Sequence, residues 1–291
     1  MMKLAHKLTL ILLFIGIIPA FVIGGFAFYH ASSGLSHQAF NQLQAVRGIK
    51  KTQIESFFSE RKGDMAMLVE TIATLEENLN DISEVESLLA QPRSGEEHSF
   101  FSKYINTYGY YDLFLLSPQG DVFYTEAKEA DYGTNLVNGA YKDSGLANIF
   151  QKAQHTRGFV LEDFSPYAPS NNEPAAFIAQ PIYRDGKLLV VVALQLSIDA
   201  INNFMQVREG MGETGESYLV GSDSRMRSGS YLDPEGHSVK ASFMGTVAKN
   251  GIDTESSREA LQGQTGTKII TDYNGNPVLS AYTPVQIEGN T

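Results

Sequence analysis

The side chains in this chain best suited to chemistry are tyrosines, amides and an aspartate rather than the usual catalytic types. Tyr124, Tyr132, Tyr141 and Tyr167 fall in or beside a series of predicted strands and loops. Asn135, Asp163 and Gln180 add hydrogen-bonding groups to the same stretch, and Phe177 adds an apolar wall. An apolar pocket with a few fixed polar groups is the general form of a small-molecule site. The candidate ligand-binding set is therefore Tyr124, Asn135, Tyr141, Asp163, Tyr167, Phe177 and Gln180, with Asp163 able to hold an amine or a hydroxyl. The plainer alternative has the tyrosines capping sheet edges and Asp163 capping a turn. Ser222, Asp223, Arg225 and Arg227 form a second polar group further on, where a solvated hairpin is expected.

Other chemistries lack their residues. The chain has no cysteine, which removes disulfides, thiolate catalysis and thiolate metal sites. The histidines are His6, His30, His37, His98, His155 and His237, and none has a metal-ligand spacing relative to another. Gly210-Met-Gly-Glu-Thr-Gly215 spells the dinucleotide fingerprint, but the fingerprint needs a strand before it and a helix after it. Here a helical stretch precedes and a strand-like run follows, so a turn is expected. Asp272-Tyr-Asn-Gly-Asn276 reads as a hairpin tip rather than a calcium loop. There is no phosphate-binding loop and no nucleophile elbow. The net charge of −11 argues against nucleic acid as a partner. No catalytic residue, metal ligand or cofactor is expected.

The elements that must position these residues begin with an uncharged run from Leu8 to Tyr29, long enough to cross a membrane as a helix. Lys3 and Lys7 precede it and the next basic residue after it is Arg47, so the N-terminus, residues 1–7, is expected in the cytoplasm and the rest outside. Met65, Leu68, Ile72, Leu75, Leu79 and Ile82 then form a heptad-type seam within a predicted helix from about His30 to about Leu89. That seam is expected to pack on its own chain and also to support a parallel homodimer. Gln91-Pro-Arg-Ser-Gly95 ends the helix.

Strands are predicted over Asp112–Leu116, Asp121–Thr125, Gly158–Glu162, Ala175–Ala179 and Leu188–Leu194, with a loop and short helix between Asn135 and Ala153. The Pro- and Asn-rich stretch from Ser165 to Pro174 reads as a loop, and Ala127 to Asp131 as a solvated one. The pattern recurs: Pro174 to Ile182 aligns without a gap to Pro277 to Val285, Gly186 falls opposite Gly289, and Asp163-Phe164 parallels Asp272-Tyr273. Ser217–Val220 opens the second unit as Asp112–Leu116 opens the first. Thr291 lies opposite Leu188, so the second unit is expected to lack its central strand, with a closing strand, a second membrane helix and an output region expected beyond it.

The anchor, the helix carrying Ile49 to Phe58 (IKKTQIESFF) and the tandem units together resemble the double Cache sensory region of methyl-accepting chemotaxis proteins. Gly212 to Ser228 and Glu162 to Ile182 carry the resemblance most strongly. It implies an α+β fold: an N-terminal transmembrane helix (8–29), a long spine helix (30–98) and two PAS-like Cache modules with antiparallel sheets. These are a membrane-distal module over 99–203 and a proximal one over 204–291, the second incomplete. It also implies that a small molecule binds the distal module, that the sensor stands on the periplasmic side of the inner membrane, and that the chain is not an enzyme. The amino-acid-binding members carry an Arg-x-Trp-Tyr signature. This chain has Asn138-Gly-Ala-Tyr141 there, with no Trp and no arginine to clamp a carboxylate, so only Tyr141 and Asp163 carry over. Alternative readings are the input region of a sensor histidine kinase or diguanylate cyclase, and an anchored enzyme or structural stalk.

Overall fold

A computed structural model describes residues 4–79, 81–92, 94 and 96–287. The first helix, α1 (Leu4–Leu79), runs through the apolar segment and the spine without a break, with Pro19 inside it. At 1.5 Å per residue its 76 residues span about 110 Å. Its apolar N-terminal part is long and apolar enough to cross a membrane and is not buried in the protein. Phe21, Phe26, Phe28 and Tyr29 are each well over half exposed, which water would oppose and lipid would favour. Residues 1–3, which include Lys3, lie outside the described residues.

The helix expected to continue to Leu89 instead stops at Leu79 and restarts as α2 (Ile82–Ala90). The cause is local. Asp81 adopts an extended backbone, and its side chain accepts the N–H of Ser83 at 2.8 Å, an N-cap that starts a new helix. Arg93 and Gly95 of the expected stop signal lie outside the described residues.

A short helix, α3 (Phe100–Tyr108), leads into β1 (Tyr110–Leu116) and β2 (Val122–Thr125). After a long loop come α4 (Gly145–Thr156), β3 (Val160–Tyr167), β4 (Glu173–Arg184) and β5 (Lys187–Leu196). The five strands form an antiparallel sheet in the order β2-β1-β5-β4-β3. Ser165-Pro-Tyr167, expected in a loop, belongs to β3. The turn is shorter and centres on Asn171 and Asn172, both at positive φ, a conformation asparagine tolerates.

The sheet is apolar on both faces. One face packs on the spine: Ile54, Phe58, Met65, Leu68 and Ile72 of α1 meet Leu113, Leu115, Ile178, Val190, Val192 and Leu194. The heptad-type seam is thus used within the chain, with Met65, Leu68 and Ile72 fully buried. The other face packs on α4 and the preceding loop through Phe114, Leu116, Phe150, Tyr167, Phe177, Val191 and Ala193.

The rest of the chain forms α5 (Ile198–Met205), α6 (Val239–Met244), α7 (Val247–Asn250), α8 (Glu255–Leu261), β6 (Gly266–Thr271) and β7 (Pro277–Tyr282). The last two make a two-stranded antiparallel sheet closed by the expected turn at Asp272–Asn276. There the Asp272 carboxylate accepts the N–H groups of Asn274 and Asn276. Ser217–Val220 is not the expected strand. It makes one bridge, Val220 to Met226, because the Leu219 N–H is taken by the Ser228 hydroxyl instead of a backbone carbonyl. Gly289 and Thr291, used in the repeat alignment, lie outside the described residues.

Basic side chains of α1 reach this second sheet unit. Arg47 donates to the carbonyl of Gly266 at 3.1 Å and Lys51 to that of Pro284 at 2.6 Å. Lys50 donates to the carbonyl of Val207 at 2.9 Å, satisfying a backbone acceptor just past the end of α5. One helix therefore touches both sheets, a rigid connection between them.

Candidate ligand site on the five-stranded sheet

The polar group that stands out lies on the sheet face away from the spine, at the end where β1 begins and β5 ends. Asp112 and Gln195 are paired across β1 and β5, and Gln195 is paired with Phe177 across β4. Alternation along the strands sets Asp112 with Phe114, Gln195 with Ala193, and Phe177 beside Tyr167 on this face. Phe177 meets Tyr167 edge-on at 5.1 Å. Gly145 lets α4 start close against this aromatic pair, since a Cβ there would lie 3.2 Å from the Phe177 ring.

The loop from Glu126 to Ser144 closes over this end. Asp112 anchors its start: one carboxylate oxygen accepts the N–H groups of Glu126 and Ala127, both at 2.9 Å, and the other accepts the Thr125 hydroxyl at 2.5 Å. Burial pushes the Asp112 carboxyl up to about 6, partly opposed by these hydrogen bonds. The stretch Ala127–Asp131, expected to be solvated, instead brings Asp131 to full burial. The Tyr167 hydroxyl donates to Asp131 Oδ2 at 2.5 Å. Burial raises the Asp131 pKa, and that hydrogen bond lowers it in part. Burial likewise holds the Tyr167 phenol protonated, with the Asp131 charge adding to the effect.

Two oxygens in this group are not satisfied. Asp131 Oδ1 and Gln195 Oε1 are buried and find no hydrogen-bond partner among the described residues. Gln195 is 4% exposed and its amide nitrogen only grazes the Ser170 hydroxyl, at 3.5 Å. Ser170 in turn donates to Glu129 at 2.5 Å, and Tyr111 donates to the other Glu129 oxygen at 2.8 Å. A buried acceptor without a donor costs about 1–3 kcal/mol, so two toward the same end of the sheet need a reason.

The residues expected from sequence divide between places, and they do not share one cavity. Tyr167 and Phe177 lie in this site, and Tyr141 packs half-buried against the same apolar cluster. Tyr124 faces the spine instead, against Phe101 at 5.0 Å, with its hydroxyl donated to Glu126. Strand alternation turns Gln180 to that side as well, in line with Ala176 and Ile178. Asn135 is spent on loop structure, donating to Gln119 O and Asp121 and accepting from Val137 and Asn138. Asp163 is paired with Arg227, described below. The reason is common to all four: the residues lie near one another in sequence, but the two-sided sheet and the turns separate them.

Asp112, Asp131 and Gln195 were not singled out in the sequence. Two signals were present. Asp112 opens an otherwise apolar strand, and Gln195 interrupts the run from Leu188 to Leu196. A polar residue on a strand buried on both faces is the informative exception.

Elsewhere the polar motifs serve structure. Gly210–Gly215 wraps its carbonyls around Arg208, which donates to Gly212, Glu213 and Gly215, so the loop presents acceptors to a cation rather than N–H groups to a phosphate. Arg227 is not in a solvated hairpin. It donates to both oxygens of Asp163 on β3 at 2.8 Å, pairs with Asp223 at 2.9 Å and lies 5.0 Å from the Phe243 ring centre. A broad cavity of about 640 Å³ lies between α1, Ser217–Ser222 and β7. Arg47, Lys50 and Lys51 line it but are already spent on backbone carbonyls, and the two orphaned oxygens are not part of it.

Among solved structures, the chain is similar to the sensory domain of the Campylobacter jejuni chemoreceptor Tlp3, with a TM-score of 0.57 and 15% identity over 87% of this chain and 92% of that one. A second Tlp3 structure, in complex with L-norvaline, gives 0.58 and 15% over 87% and 88%. The ligand-binding domain of the Pseudomonas fluorescens chemoreceptor CtaA in complex with L-serine gives 0.51 and 18% over 81% and 86%. At these identities the likeness concerns the fold. No curated protein sequence matches the chain. The sequence profile of the Cache domain matches residues 31–291, nearly all of the chain beyond its apolar N-terminal segment, and the chain belongs to the Cache-domain family.

Proposed function

We propose that this chain is the ligand-sensing region of a membrane-anchored chemoreceptor, that the unit built on the five-stranded sheet is its membrane-distal module, and that a small molecule binds between that sheet and the Glu126–Ser144 loop. The observation that carries this is the pair of buried, unpartnered oxygens, Asp131 Oδ1 and Gln195 Oε1, beside the aromatic wall of Tyr167 and Phe177. A fold that leaves two such acceptors sealed has traded stability for recognition. The family and the chemoreceptor sensory domains with the same fold support the sensing role. The exposed apolar part of α1 supports a membrane anchor with lipid as its partner, and Lys3 and Lys7 before it, with no further basic residue until Arg47, favour the sensor on the extracytoplasmic side. A homodimer along α1 fits a spine of this length and remains part of the proposal.

The signal would be a shift between two packings of the loop and sheet on the spine. A ligand biases such an equilibrium only by its differential affinity for the two states. The test is a thermal-shift screen of metabolites on the full chain in lipid nanodiscs. A stabilising compound should lose its effect in Asp131→Asn and Gln195→Leu but keep it in Tyr124→Phe, on the opposite sheet face. Equal responses in all four proteins would remove the site from this end of the sheet.

A further inference from the structure

We infer that the ligand of this site is a cationic amine recognised without a carboxylate, a deepening that rests on the distal site proposed above. Both orphaned atoms are acceptors, so each needs a donor from the ligand. An ammonium group carries up to three N–H donors and no acceptor, which matches Asp131 Oδ1 and Gln195 Oε1 together. Charge points the same way. Asp112, Glu129 and Asp131 converge on one end of the sheet, and the Asp131 carboxyl feels Glu129 while Asp112 feels Asp131. Among the described residues no Lys or Arg is ion-paired with any of the three. Lys128, in the same loop, is exposed and acts on Glu86 of α2, and Lys152 is committed to Glu162.

A zwitterionic ligand would bring its own carboxylate into this acidic space, where among the described residues no guanidinium or ammonium is ion-paired with the acidic groups. Burying an uncompensated anion is strongly unfavourable. The remaining wall suits a cation: the edge-on rings of Tyr167 and Phe177 line the same face, and an ammonium is attracted to aromatic faces. The Tyr167 hydroxyl, already donated to Asp131, leaves its own oxygen free to accept a further N–H.

The experiment is calorimetric titration of the full chain in nanodiscs with four matched pairs: isobutylamine and L-valine, phenethylamine and L-phenylalanine, histamine and L-histidine, cadaverine and L-lysine. The inference expects at least one amine to bind about tenfold or more tighter than its amino acid. Asp131→Asn should weaken that amine by about ten- to a hundredfold, with thermal denaturation checking that the variant is folded. Gln195→Glu, which places a second carboxylate beside the ammonium, should retain or tighten the amine and further weaken the amino acid. An amino acid that binds as well as its amine, still dependent on Asp131, overturns the ligand class and leaves the site standing. No binding by any of the four amines up to about 10 mM also overturns the class. Binding of either kind that is unchanged in both Asp131→Asn and Gln195→Leu overturns the site itself.

Discussion

Arg227 clasps both carboxylate oxygens of Asp163 at 2.8 Å, joining β3 of the five-stranded sheet to the segment that precedes α6. The two residues are 64 positions apart. Arg227 is buried while the Asp163 side chain is 56% exposed, so the pair sits at the rim of the junction, with Asp223 as a second acceptor. With the Lys240–Glu173 pair between α6 and β4, it ties the five-stranded sheet to the part of the chain that follows α5.

That link gives a first prediction. Asp163→Ala should destabilise the chain by about 1–2 kcal/mol, less than a fully buried pair because water reaches one partner. A double-mutant cycle with Arg227→Met should return a coupling energy of about 1–3 kcal/mol. Ligand affinity should stay within about twofold of the parent, because Asp163 lies outside the proposed site. Denaturant unfolding and titration together check this, and a loss of binding with no loss of stability would contradict it.

A second prediction concerns pH. The Asp112 pKa is raised to about 6 in the folded chain, against an ordinary value of about 3.9. The folded state is then the better proton binder between these values, so stability falls as pH rises from about 4 to about 6. The cost is absent below that window, is fully present above it and amounts to at most about 3 kcal/mol. Lowered carboxylates such as Asp121, held down chiefly by hydrogen bonds from Asn135 and Ser117, act in the opposite sense at lower pH. The difference in stability between the parent and Asp112→Asn therefore isolates the effect. A difference that does not vary across pH 4 to 6 would show that Asp112 titrates normally.

The orphaned acceptors give a third. Gln195→Leu keeps the volume of the side chain and removes a buried oxygen without a partner, so it should raise stability by about 1 kcal/mol. It should also abolish the ligand response. A residue there for packing alone would lose stability on this change.

The spine gives a fourth. Ile72 is fully buried against the sheet and Met67, five residues earlier on α1, is 68% exposed. Ile72→Ala should cost about 2–5 kcal/mol. Met67→Glu should change the stability of the chain by less than about 0.5 kcal/mol. If Met67→Glu also lowers the mass measured in nanodiscs or detergent, the exposed face of α1 is the dimer contact.

Large parts of this fold were legible in the sequence because their signals are local. The apolar run, the seam from Met65 to Ile72 and the five strand-like runs each carry their own periodicity. The break at Asp81 was missed because an N-cap inside a continuous helical pattern is a single hydrogen bond. Ser217–Val220 was misread because a strand exists only if a neighbour pairs with it, and Ser228 diverts one of the needed groups.

The site was half legible. Tyr167 and Phe177 belong to both the expected set and the candidate site, but the polar residues of the candidate site come from the ends of β1 and β5 and from Asp131, a loop residue that looks solvated in sequence. What turns Asp131 inward is the Asp112 anchor on Glu126 and Ala127, a contact across 14 and 15 residues. No window of sequence shows that contact. Asp163 is expected from sequence to hold a ligand's amine or hydroxyl, yet it is paired with Arg227, 64 residues away.

The central claim is tested most directly by a structure of the full chain with the tightest-binding amine. The account predicts its nitrogen within about 3 Å of both Asp131 Oδ1 and Gln195 Oε1, under the Glu126–Ser144 loop. Ligand density in the cavity between α1 and β7 instead, with Asp131 Oδ1 and Gln195 Oε1 still unpaired, would contradict it.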